Sequence, residues 1–130
     1  MADHATLRGK IILLLESNDD ARDFITQFLT RQGATVLARS TAKEALAAIP
    51  PHSPSVVLLG IGLSDLDRLK LLRDIRALGS KNGWAIPVIA IAGFSRSVGR
   101  TTAIAAGFRR QLEKPFLPAE LLEAINEVLS

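Results

Sequence analysis

The chain has 130 residues, a formal net charge of +3 and no cysteine, which suits one domain with its own core and excludes a disulfide framework or thiolate metal site. Only His4 and His52 offer imidazoles, and aromatics make up 5% of the chain, so a His-rich metal centre and a stacking platform for single-stranded nucleic acid both lack their residues. No apolar run is long enough to span a bilayer, and MADHATLRGK has no signal-peptide core, so a soluble cytoplasmic protein is the default expectation.

Residues 1–9 read as a loose N-terminal arm, and 10–130 as a single domain of alternating apolar runs and amphipathic stretches. Lys10 to Leu15 predicts the first strand. Ser17 with Asp20 three residues on predicts a capping box, and Phe24, Ile25, Phe28 and Leu29 recur at helical spacing until Gly33. Thr35 to Ala38 predicts a second strand. Thr41 and Glu44 form a second capping box, Ala45, Leu46 and Ile49 a core face, and Pro50-Pro51 a stop. Val56 to Leu59 is a continuous apolar run of the kind found in buried parallel strands, and it ends at Gly60.

A third helix is predicted over Asp67 to Leu78, with Leu69, Leu72 and Ile75 inward, followed by a polar loop from Gly79 to Ala85. Ile86 to Ile91 predicts the fourth strand, with Pro87 near its start, where a missing N–H is tolerated. Ser95 or Ser97 caps a fourth helix to about Ala106, weakened by Gly99, Thr101 and Thr102 and stopped at Gly107. Arg109 to Leu112 reads as a short edge strand. The last helix starts at Pro118 and carries Leu121, Leu122, Ile125, Val128 and Leu129 on its apolar stripe. This (βα)5 alternation predicts a three-layer α/β/α sandwich around a five-stranded parallel sheet in the flavodoxin-like order 2-1-3-4-5.

In an open α/β sheet, chemistry gathers where the chain leaves the C-terminal ends of the strands. The stretches there are LLLESND, VVLLGIGLSDLDRL, VIAIAGFS and EKPF. In order and spacing they resemble the receiver domain of two-component response regulators (CheY-like), over nearly the whole chain from Lys10 to Ser130. In that family an acid pair after the first strand holds Mg²⁺, and an aspartate ending the third strand takes a phosphoryl group. A Thr or Ser ends the fourth strand, and a Lys-Pro pair follows the fifth.

Carried over residue by residue, the resemblance makes Glu16 the first acid and puts Ser17 in place of the second. Gly60 stands at the phosphoacceptor, Ala92 at the hydroxyl and Lys114 at the lysine, with Pro115 after it. Gln111 falls at the switch aromatic, and Arg68 where the family often has Gly. A degenerate phosphorylation site of Glu16, Ser17, Gly60, Ala92 and Lys114 is therefore implied, with no catalytic residue. An aspartyl phosphate needs a carboxylate nucleophile, and glycine has no atom to offer. Mg²⁺ needs a shell of oxygen ligands, so Glu16 is only a remnant metal ligand and Mg²⁺ binding is expected to be weak or absent. Lys114 is then left to pair with Glu16.

Gly60 also has a plain reading, a strand-end turn that needs a small residue or a positive φ. Asp65 and Asp67 are alternative acceptors, although an acid at Asp67 also suits a helix N-terminus. Asp19, Asp20 and Asp23 read as solvated first-turn acids. Arg96 and Arg100 share a helix face, while Arg109 and Arg110 alternate across the next strand. Arg96, Arg100, Arg110 and Gln111 form either a solvated surface or a docking surface for an acidic partner. No recognition helix stands out, so nucleic acid is not expected.

The first reading is a receiver-like, non-enzymatic pseudo-receiver that signals by protein–protein contact in a phosphorelay. Its partners would be a histidine kinase, another regulator or an effector, or a second copy of the chain. The second is a working regulator phosphorylated at Asp65 or Asp67. The third is a small flavodoxin-like nucleotide binder or enzyme, against which the chain has no GxxxxGK[ST] loop, and GIG at 60–62 is too short.

Overall fold

Strands covered on both faces need apolar side chains at every position, and the runs of Ile, Leu and Val supply them. A computed structural model describes residues 6–60, 65–83, 85–91, 108–112 and 116–129, with 65–68, 82 and 111 described by backbone alone. Strands β1 (Ile11–Leu15), β2 (Thr35–Arg39), β3 (Val56–Leu59), β4 (Val88–Ile91) and β5 (Arg110–Leu112) lie in one sheet in the order β2-β1-β3-β4-β5. All neighbours are parallel. The described helices are α1 (Asp19–Arg31), α2 (Ala42–His52), α3 (Asp65–Asn82) and α4 (Pro118–Leu129). The helix predicted from Ser95 or Ser97 to Ala106 lies outside the described residues. No described helix is long and apolar enough to cross a membrane.

The two-residue alternation of the strands splits the interior into two layers. Leu13, Leu15, Val57, Leu59, Val88 and Ala90 face Ala45, Ala48 and Ile49 of α2 and Leu71, Leu72 and Ile75 of α3. Ile12, Leu14, Val56, Leu58, Ile89, Ile91 and Leu112 face Ile25 and Leu29 of α1 and Leu121, Ala124 and Ile125 of α4. This parallel α/β architecture is the one anticipated, and it brings the C-terminal ends of β1 and β3 side by side.

Several local expectations are corrected. The cap of α1 is Asn18, whose side chain accepts the Ala21 N–H at 2.8 Å, rather than Ser17. Asn caps as well as Ser does, and here the first turn begins one residue later. Thr41 caps α2 as predicted, accepting the Glu44 N–H at 3.2 Å and donating its hydroxyl to Glu44 Oε1 at 3.0 Å. Pro50-Pro51 does not stop α2 but forms its last turn, and the helix ends at Ser53 in the left-handed region with φ 46°. A single terminal turn loses few bonds to a missing N–H, and Ser53 N–H still reaches the Ile49 carbonyl at 2.8 Å.

Helix α3 continues to Asn82, through the stretch expected to be a loop, and stops at Gly83 with φ 78°. Such a conformation is cheap only for glycine, so Gly83 rather than Gly79 ends the helix. Within α3, Leu71 and Leu72 are fully packed while Leu69 is only partly buried. Phe24, expected on the core face of α1, is 56% exposed. Phe108, which carried no signal, is buried against the layer formed by α2 and α3. At the N-terminus, Thr6 to Gly9 form a turn in which Leu7 is buried and its N–H donates to the Gln32 carbonyl at 2.8 Å. A loose arm therefore does not extend to Leu7.

Candidate functional site

Register builds the site. Leu15 pairs with Leu59, so the next residues, Glu16 and Gly60, leave the sheet as neighbours. Gly60 N–H donates to the Leu15 carbonyl at 2.7 Å, and Glu16 N–H donates to the Arg39 carbonyl at 3.0 Å. Glu16 is thus held between the ends of β2 and β3.

The Glu16 side chain is completely buried, the one charged residue so buried among those described. One carboxylate oxygen accepts the Asn18 N–H at 3.1 Å. The rest of the group lies against Gly60. A Cβ placed on Gly60 would stand 2.8 Å from the Glu16 carboxyl carbon and 2.9 Å from the Leu15 carbonyl oxygen, and nearer still to Glu16 Oε1. Real Cβ atoms do not make contacts that short. Gly60 does not have a positive φ, so its glycine is required by space and not by backbone conformation.

Arg22 closes this corner from α1, donating to the Glu16 carbonyl at 2.9 Å and pairing with Asp19 at 2.6 Å. Nothing in the sequence singled out Arg22, because its reach across the first turn of α1 depends on where β1 ends. Ser17, expected from the resemblance to replace the second acid, is exposed next to Glu16 in the chain. Asp20 and Asp23 are exposed on α1, in agreement with their reading as solvated acids, and Asp19 is engaged by Arg22. Among the described residues no three of His, Cys, Asp and Glu converge as a metal site would require.

Of the expected site residues, the fold brings together Glu16, Ser17 and Gly60. Ala92, Lys114, Arg96 and Arg100 lie outside the described residues. Asp65 and Asp67 are in the first turn of α3, described by backbone alone. Gln111 pairs with Ala90 in the sheet, also by backbone alone. Arg110 is half-buried and makes an ion pair with Glu127 of α4, while Arg109 lies exposed on the α3 side. The two arginines therefore do point to opposite faces, and only one of the pair is occupied with α4.

Comparison with known proteins bears on this geometry. The family model of the response regulator receiver domain matches residues 12–126. A 14.6 kDa uncharacterized protein from Leptolyngbya boryana, in the sodA1 3' region, is 30% identical over 122 residues, covering 94% of this chain and 92% of that protein. The transcriptional regulatory protein CssR of Bacillus subtilis is 28% identical over 118 residues, covering 91% of this chain and 50% of CssR. The chain spans about half the length of the transcriptional regulators it matches. Among solved structures, the receiver domain of the sensor histidine kinase PA1611 from Pseudomonas aeruginosa superposes with a TM-score of 0.78 at 28% identity, covering 93% of this chain and 98% of that one. That domain carries a magnesium ion coordinated in its active site cleft.

Proposed function

Because the chain belongs to the response regulator receiver domain family of two-component signalling, we propose that it serves there as a receiver that takes no phosphoryl group at the end of β3 and acts by protein contact. The observation that carries this reading is the pairing of Gly60 with Glu16. Position 60 has no nucleophile, and the space a side chain would need is filled by a carboxylate from β1 and a backbone carbonyl.

The site's donors also fit Mg²⁺ poorly. A magnesium ion asks for octahedral oxygen ligands and keeps several waters. Glu16 is fully buried, with one oxygen committed to the Asn18 N–H and the carboxyl group packed on Gly60. Among the described residues it is not part of any group of three His, Cys, Asp or Glu that could hold a metal ion. Without an acceptor the family's usual input is missing, so output rests on a surface recognised by a histidine kinase, another regulator or an effector.

Two-dimensional amide NMR with Mg²⁺ and beryllofluoride, a phosphoryl mimic, tests this reading. The amides of Glu16, Asn18 and Gly60 are expected to stay in place at saturating mimic. Saturable, concerted movement of these amides would sink the proposal. So would a mass gain from a small phosphodonor that Asp65→Ala or Asp67→Ala removes, which would restore the reading of a working regulator with an unusual acceptor.

A further inference from the structure

Helices α2 and α3 lie side by side on one face of the sheet, and an open groove runs between them. Its floor is Leu46 and Leu78, both half-buried against the core, and its banks are exposed Ala47 and Ala77. Asp74 and Lys81 mark the two ends of the α3 bank. We propose that this groove docks an acidic amphipathic helix of a protein partner. The proposal rests on the reading above, that output passes by protein contact, and it names the surface that makes the contact.

Helical spacing builds the α3 bank. Asp74, Ala77, Leu78 and Lys81 recur at i, i+3, i+4 and i+7, and Lys70 extends the same stripe by one turn. On α2, Lys43 lies one turn ahead of Leu46 and Ala47. Lys43, Lys70 and Lys81 are exposed, and among the described residues none of them has an ion-pair partner. Glu44 of α2 is engaged elsewhere, by the hydroxyls of Ser40 and Thr41. Three lysines against Asp74 give the described charges along the groove a cationic excess. The apolar floor gains by being covered, and the lysines favour a partner whose flanks carry carboxylates. The α3 bank from Asp74 to Lys81 is about 10 Å long at roughly 1.5 Å per residue, which matches two turns of a docked helix with its apolar anchors at i, i+4 and i+7. A second copy of the chain fits worse, because a two-fold contact sets the same patch on both sides and so lays lysines against lysines.

The test is an amide NMR titration with a synthetic amphipathic peptide that carries Leu on one helical face and Glu on its flanks. A twin with Lys in place of every Glu serves as the charge control. The Glu peptide is expected to move the amides of Leu46, Ala47, Asp74, Ala77 and Lys81 saturably, and the Lys twin to bind at least tenfold more weakly, on the order of a charge-reversed contact. Ala77→Arg, which fills the groove while keeping its sign, is expected to weaken the Glu peptide roughly tenfold, and Lys81→Gln roughly threefold to fivefold, with the rest of the spectrum unchanged. Both positions are exposed on a helix, so neither change removes core packing. The proposal is overturned if the Glu peptide leaves these amides in place, if the twin binds equally well, or if both variants bind as the parent does. It is also overturned if the same amides shift with protein concentration alone, which would make a second copy the occupant. Failure of the underlying reading shows elsewhere in the spectrum, as movement of Glu16, Asn18 and Gly60 with beryllofluoride, and so is told apart from failure of the groove.

Discussion

The carboxyl carbon of Glu16 stands 2.8 Å from the point a Cβ on Gly60 would occupy, so the two residues share one volume: the first supplies the atoms and the second gives up its own. Gly60→Ala is therefore expected to destabilise the fold by about 1–3 kcal/mol, the usual cost of overpacking, measured by urea denaturation. In a Glu16→Ala background the same change is expected to cost less, because the soft part of the clash is gone. Part of the cost remains, because the Leu15 carbonyl is backbone and cannot yield as a side chain does. A coupling of at least about 0.5 kcal/mol in this cycle is the signature of the shared volume, and strict additivity would contradict it.

The same crowding limits an attempt to restore the family's acceptor. Gly60→Asp would add a second carboxylate beside a buried one, in a space without room for its Cβ. We expect this variant to be less stable than Gly60→Ala and still unphosphorylated by a small phosphodonor, read by intact-protein mass. Rapid phosphorylation of Gly60→Asp would mean that Glu16 moves aside at little cost.

Leu7 fills the layer between the sheet and α1 although it precedes the first strand. Leu7→Ala is expected to cost about 2–5 kcal/mol, as for other buried leucines, with a matching fall in the denaturation midpoint. A change below about 0.5 kcal/mol would return this segment to the status of a loose arm.

The two caps are separable from the core. Thr41→Ala and Asn18→Ala should each cost about 1 kcal/mol, since each removes a side-chain acceptor from a first-turn N–H. Thr41→Ser is expected to recover most of the loss at its site, which a purely steric role for threonine would not allow.

Arg110 meets Glu127 across β5 and α4, with Glu127 largely solvent-facing. A double-mutant cycle of Arg110→Gln and Glu127→Gln should give a coupling below about 1 kcal/mol, falling further in high salt. If Arg110 instead serves a partner, its loss should weaken that complex with little effect on thermal unfolding.

Much of the architecture was legible from period and punctuation. Val56 to Leu59 read as a strand buried on both faces, and Thr41 with Glu44 marked a helix start wherever the helix went to pack. These signals are local: a side-chain period or a cap needs only residues within a turn or two. The four strand-end stretches likewise carried the family resemblance, and the sequence itself states that position 60 lacks a side chain. Tertiary structure decided the rest. That α3 runs past Gly79 to Gly83, and that α2 keeps Pro50-Pro51 in its last turn, depended on packing outweighing weak local propensities. That Leu7 and Phe108 are buried depended on surfaces formed by distant elements. That Gly60 is glycine for want of space, and not for a turn, could be seen only once the register of β1 against β3 had set Glu16 beside it, because no pattern within either strand specifies which residue of the other will fill the gap.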